Sequence, residues 1–222
     1  MDWMNKLFKK ENTATVIEKY KEYRKVSKEL NNKIMEKCLD PDVFKKSARL
    51  LGATEGEVLV LDNEDEMSVL MDFALREYKV NKQTTVEIYR EKIGGENEIE
   101  KEILDAFVLS YVSLFKIISI SKTEKSLILE DILNQKDNIK IIDRALSKSA
   151  APGMLVFIRI VPFKDFNMSA GILFAFYGEL EKDILKKYKT LTKKVKSDSE
   201  SVKRFVAFYK LSKTDGIGVR YA

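Results

Sequence analysis

The sequence predicts an α+β fold, and three observations carry that reading. Apolar residues at helical spacing, punctuated by capping signals, run through the first half of the chain. β-branched and aromatic residues take over near Leu109, with turn signals about every eight to twelve positions. Helical spacing returns after Gly178. The expected layout is an N-terminal helical region over 1–108 and a five-stranded antiparallel small β-barrel or meander, SH3-like or OB-like, over 109–178. C-terminal helices over 179–215 pack on the rest, and 216–222 form a tail.

Each element has a local reason. Thr15 and Glu18 have capping-box spacing, and Val16, Tyr20, Tyr23, Leu30 and Ile34 then mark one face of a helix reaching about Cys38. Asp40-Pro41 supplies an N-cap and a first-turn proline, and Gly52 a stop. The run EVLVL at 57–61 reads as a strand or extended lead-in whose partner is not evident. Asn63 caps a helix over about 64–78 with Leu70, Phe73, Ala74 and Tyr78 buried. Thr84 and Glu87 form a second capping box, opening a helix that ends at Gly94-Gly95. A helix from about Asn97 turns Ile99, Ile103, Leu104 and Phe107 to a core.

The strands are expected at about 110–120, 126–133, 138–143, 154–162 and 169–177. SKTEK and NQKDN make the first two turns. Ala151-Pro-Gly-Met154 is a type II turn, because Pro152 presets φ and Gly153 accepts the positive φ that follows. In the last part Leu180, Ile184, Leu185, Tyr188, Leu191 and Val195 share one helix side, and Ser197 to Glu200 has the spacing to open another helix.

Composition removes whole classes of chemistry. The chain has no histidine and a single cysteine, Cys38. No catalytic triad with a histidine member and no zinc site made by this chain alone is available. A Ser119–Lys122 pair has S-x-x-K spacing but falls at a strand end, and the Gly216–Gly218 pair stands too near the C-terminus to open a nucleotide-binding helix. Asp62, Glu64, Asp65 and Glu66 suit a helix N-terminus better than a cation loop. No metal, cofactor or catalytic residue is therefore expected, and the residues lean away from an enzyme. No apolar run reaches membrane-spanning length, and the lone cysteine fits a reducing compartment, so a cytoplasmic protein is expected.

The net charge of +5 hides a segregation. Residues 1–50 carry roughly five excess positives, 51–107 roughly nine excess negatives, and 108–222 roughly nine excess positives. On one reading the acidic middle lies against basic segments of its own chain. On the other, Lys186, Lys187, Lys189, Lys193, Lys194 and Lys196 contact nucleic-acid phosphates. Arg159, inside the apolar run MLVFIRIVP, is either an anion-binding residue at a barrel mouth or the partner of rim charges Asp131 or Asp143. Trp3, Met4, Leu7 and Phe8 form an amphipathic stripe suited to a protein partner, self-association or a membrane surface. The expected function is a non-catalytic binding or adaptor protein acting through protein contacts; the alternative is nucleic-acid binding through the barrel and the lysine-rich helix.

Overall fold

The longest element sets the frame. Helix α1 (Asp2–Cys38) runs for 37 residues, about 55 Å at 1.5 Å per residue. Its span contains neither proline nor glycine, so Thr15 lies inside the helix and not at its start. The computed structural model describes residues 2–135 and 137–217. The side chains of Trp3, Met4, Leu7 and Phe8 lie outside the described residues.

From Tyr20 onward α1 turns a buried face inward, with Tyr20, Tyr23, Leu30 and Ile34 in contact with the core as the spacing predicts. Against them pack α4 (Thr85–Lys92) and α5 (Glu98–Leu109), whose Tyr89, Ile103, Leu104 and Phe107 complete one apolar cluster. The capping box of Thr84 and Glu87 forms with both hydrogen bonds present. Asn97 caps α5 by accepting from the Glu100 N–H at 2.9 Å.

Helix α2 (Pro41–Leu51) begins at Asp40 and ends at Gly52, which takes a left-handed φ of 77°. The uncertain run after it resolves into a two-residue hairpin, β1 (Thr54–Glu55) against β2 (Val58–Leu59). Helix α3 (Asp65–Arg76) follows, and Asn63 Oδ1 accepts from the Glu66 N–H at 3.2 Å.

The second half is a closed ring of strands: β3 (Tyr111–Ser121), β4 (Ser126–Asp131), β5 (Ile139–Ile142), β6 (Leu155–Pro162) and β7 (Asn167–Phe176), with a short α6 (Leu146–Ser149) between β5 and β6. Neighbours follow the order β3-β4-β5-β7-β6, and β6 returns to β3. The strands fall within a few residues of their expected places. The expectation of antiparallel pairing throughout is corrected at one seam, where β5 meets β7 in parallel through the single pair Ile142↔Met168. The crossover that parallel neighbours require is supplied here by α6 and β6 together.

Strand β6 is buried along nearly its whole length because it has a core on each side. Val156, Ile158 and Ile160 point into the ring with Phe115, Leu129 and Ile141. Leu155 and Phe157 point outward into a cluster with α2, α3 and α8 (Glu200–Asp215), while Val161 joins the α1 cluster. Phe208 of α8 stacks on Phe157 at a centroid distance of 4.4 Å, and Tyr188 of α7 (Glu181–Thr192) stacks on Phe208 at 5.0 Å.

Two C-terminal details differ from expectation. The side chain that caps α8 is Ser199, not Ser197, and the N–H of Ser199 is in turn bonded to Ser197 Oγ. The tail begins ordered, since Ile217 N–H donates to Ala175 O at 2.8 Å; 218–222 lie outside the described residues. Among the described residues no helix is long and apolar enough to cross a membrane.

Candidate functional site

The strongest concentration of buried charge lies between β6 and α3. Alternation along β6 places Arg159 on the outer side of the ring, between Phe157 of one helical cluster and Val161 of the other. The β6–β7 register shifts between Ile158 and Ile160, so Arg159 stands opposite an irregularity in the ladder. Its guanidinium is 1% exposed.

Arg159 meets neither of the rim aspartates. Nε and Nη2 donate to Asp72 Oδ2 at 2.9 and 2.8 Å, Nη2 also donates to Glu77 Oε1, and Nη1 reaches Ser110 Oγ at 3.4 Å. One turn along α3 from Asp72, Arg76 donates through Nη1 to Asp72 Oδ1 at 3.0 Å and through Nη2 to Asn31 Oδ1 at 2.6 Å. Ser201 Oγ donates to Glu77 Oε2. Two guanidinium groups and two carboxylates are thus enclosed together, with formal charges that cancel.

The two arginines are held differently. Burial disfavours the charge on Arg159, but Asp72 and Glu77 outweigh it and hold that guanidinium above its ordinary value. For Arg76 burial is the largest influence, and the nearby Arg159 adds to it, so its affinity for the proton is lowered despite Asp72.

Asp131 and Asp143 are also buried, and each organises backbone instead of binding Arg159. Asp131 Oδ1 accepts from Ser113 Oγ at 2.5 Å and from the N–H groups of Leu133 and Asn134 at 3.2 and 3.1 Å, which fixes the turn after β4. Asp143 Oδ1 accepts from the Leu146 N–H at 2.8 Å and Oδ2 from Ser169 Oγ, joining the end of β5 to β7. Beside Asp131 an open depression is lined by Glu130, Asp131, Asp137 and Glu181, the wrong sign for an anion.

The lysines stand apart from this network. Lys186, Lys187 and Lys189 are exposed on α7, and Lys193, Lys194 and Lys196 are exposed just beyond its end at Thr192. Lys187 pairs with Asp215; among the described residues the other five make no ion pair. Arg159, the aspartates and the lysines therefore do not line a common groove.

Sequence reasoning picked out Arg159 but missed Asp72, Arg76 and Glu77. A signal was present, since Asp72 and Arg76 are spaced i, i+4 within MDFALRE, on a helix whose neighbouring positions are apolar. Elsewhere Asp62 and Glu66 both meet Lys213 at 2.8 Å. Among the described residues there is no cluster of three His, Cys, Asp or Glu side chains able to hold a metal.

Fold and network together define a mixed helix-and-sheet protein whose most buried charges serve its own interior. The chain belongs to a family of unknown function, DUF7986, whose profile matches residues 14–222. No curated protein and no solved structure matches it.

Proposed function

We propose that this chain is a non-catalytic binding or adaptor protein acting through protein contacts, built on a small-barrel module of the SH3-like or OB-like kind and working in the cytoplasm. The observation that carries this reading is the internal consumption of the polar groups that an active site would need. Arg159, Asp72 and Glu77 are buried and paired with one another, and Asp131 and Asp143 are committed to backbone. What remains open to a partner is surface of the kind proteins use. A cleft of about 600 Å³ between α1 and the ring has an apolar floor of Val16, Ile17, Ile142 and Phe166. Its rim is charged, with Lys19 paired to Asp165 at 2.9 Å and Lys140 to Glu124 at 2.6 Å. An apolar floor inside a polar rim is the anatomy of a protein-binding surface.

Light scattering after size exclusion, with chemical cross-linking, tests the reading on the full chain. Self-association or a defined heteromeric complex that Ile17→Glu or a Trp3→Glu/Phe8→Glu double variant disrupts is the expected result. A monomer that captures no protein overturns it.

Nucleic-acid binding is the second reading, favoured alone by the five lysines that make no ion pair among the described residues. It has lost Arg159, which lies within the interior. If fluorescence anisotropy at low salt shows no binding of single- or double-stranded DNA or RNA, this reading fails.

A further inference from the structure

We propose that the edge of β7 away from β6 is a docking site for an extended strand, and that the chain's own residues Ile217 to Ala222 fill it as a sixth strand of the ring. The adaptor reading stands or falls separately.

The edge follows from the seam. β5 accompanies β7 at Ile142↔Met168 alone, while the β6–β7 ladder runs on to Phe176. Past Met168, on the side away from β6, β7 therefore has no strand beside it among the described residues except at Ala175, where Ile217 makes an antiparallel bridge. A bare edge presents a row of backbone donors and acceptors that water or another strand must satisfy.

Ile217 sets direction and register. Its N–H donates to Ala175 O at 2.8 Å. In a strand the N–H and C=O of one residue point to the same side, and alternate residues repeat that direction. The groups of 175, 173 and 171 thus face the docking edge, and those of 174 and 176 face β6. Antiparallel continuation pairs 219 with 173 and 221 with 171. Gly216 directs the chain onto this path, since it leaves α8 in extended backbone (φ −73°, ψ 149°) and a Cβ there would meet the Ser212 carbonyl oxygen.

The residues after Ile217 carry the pattern this edge needs. Ala175 is 1% exposed within the cluster that the ring encloses, and Ile217 packs against the same cluster. Directly opposed residues share a face, so Ile217, Val219 and Tyr221 would fall on the inner face and Gly218, Arg220 and Ala222 on the outer. On the outer face Phe174 packs against Phe205 and Tyr209 of α8, and the residue that comes opposite Phe174 is glycine, which adds no side chain there. Around Gly171 β7 bulges, covering four residues from 173 to 169 where β6 covers two from 158 to 160. An aromatic residue opposite a strand glycine covers the space that the missing side chain leaves, which is the place of Tyr221 in this register. Residues 218–222 reach about 17 Å at roughly 3.4 Å per residue, enough to run from Ala175 back to Ala170.

Amide hydrogen exchange read by NMR on the full chain tests the site. The N–H groups of Leu173 and Ala175 should be protected to within about tenfold of those of Phe174 and Phe176. Val219→Pro, which removes the donor that meets 173, should quicken exchange at Leu173 by about tenfold or more and lower Tm, while Phe174 and Phe176 stay protected. Arg220→Ala, on the outer face, should change neither. Exchange of Leu173 at the rate of an open loop in the parent chain overturns the site, as does a response to Val219→Pro no larger than that to Arg220→Ala. Protection at Leu173 that fades on dilution, with a dimer seen by light scattering, gives the strand to a second copy and overturns docking within one chain.

Discussion

Arg159 shows what one side chain commits a fold to. A guanidinium at 1% exposure survives only with its partners in place, and removing one member of a buried pair strands the others. Arg159→Met should therefore cost about 3–5 kcal/mol in urea denaturation, with Asp72→Asn in the same background restoring part of the loss. A single variant within about 1 kcal/mol of the parent would show that the network contributes little. The sequence exposed Arg159 as an interruption in an apolar strand. Its partners stand 87 and 82 residues upstream, a separation that no local pattern encodes.

Glu100 makes a different prediction at the same scale. Burial pushes its carboxyl up, but Lys33 Nζ at 2.9 Å and the Glu96 N–H at 2.9 Å outweigh burial and hold it below its ordinary range. A depressed carboxyl contributes stability that is fully present above its unfolded value, about 4.3, and is lost as pH falls through the folded value. Acid titration of stability should thus show a limb below about pH 4.5 that Glu100→Gln flattens. An unchanged limb in that variant would remove Glu100 from the account.

At the scale of elements, termini were the most legible feature and continuity the least. Asp40, Gly52, Thr84 and Asn97 act where their chemistry places them, since each satisfies backbone groups within four residues. Thr84→Ala should accordingly cost about 1 kcal/mol by thermal denaturation, and Thr84→Ser much less. Thr15 and Ser197 carried the same signal and proved to be no caps, because spacing alone does not say whether a helix has already begun or starts two residues later. The strands were legible for a related reason, as turn residues fix where they stop. Gly178 illustrates a constraint that the sequence did not reveal: a Cβ there would lie 2.1 Å from the Gly153 carbonyl oxygen, so the turn before β6 and the exit from β7 touch backbone to backbone. Gly178→Ala should lower Tm more than Gly56→Ala, although Gly56 has a positive φ of 60°, because around Gly56 a Cβ meets nothing within 4 Å.

Across the whole molecule the charge segregation is partly resolved internally. The acidic middle meets the basic N-terminal part through Lys33 with Glu96 and Glu100 and Lys19 with Glu102, and the basic C-terminal part through Arg159 with Asp72 and Glu77 and Lys213 with Asp62 and Glu66. Most of these pairs are near the surface and screened by salt. Raising ionic strength should therefore change stability only modestly while leaving the fold intact, as circular dichroism during a salt titration would show. A large loss would mean that the surface pairs contribute more than such pairs ordinarily do.

The single pair that joins β5 to β7 has a further consequence. Ile142 and Met168 carry the ladder there alone, yet the line is crossed by Asn167 Nδ2 to Lys140 O and by Ser169 to Asp143, while Arg24 of α1 donates to Ser169 O. The long helix thus acts as a splint along the weakest join in the ring. If it is loosened, as Tyr20→Ala would do, amide exchange should quicken in β5 and β7 before β6. Two strands would then present unsatisfied edges, each able to accept a strand from another copy.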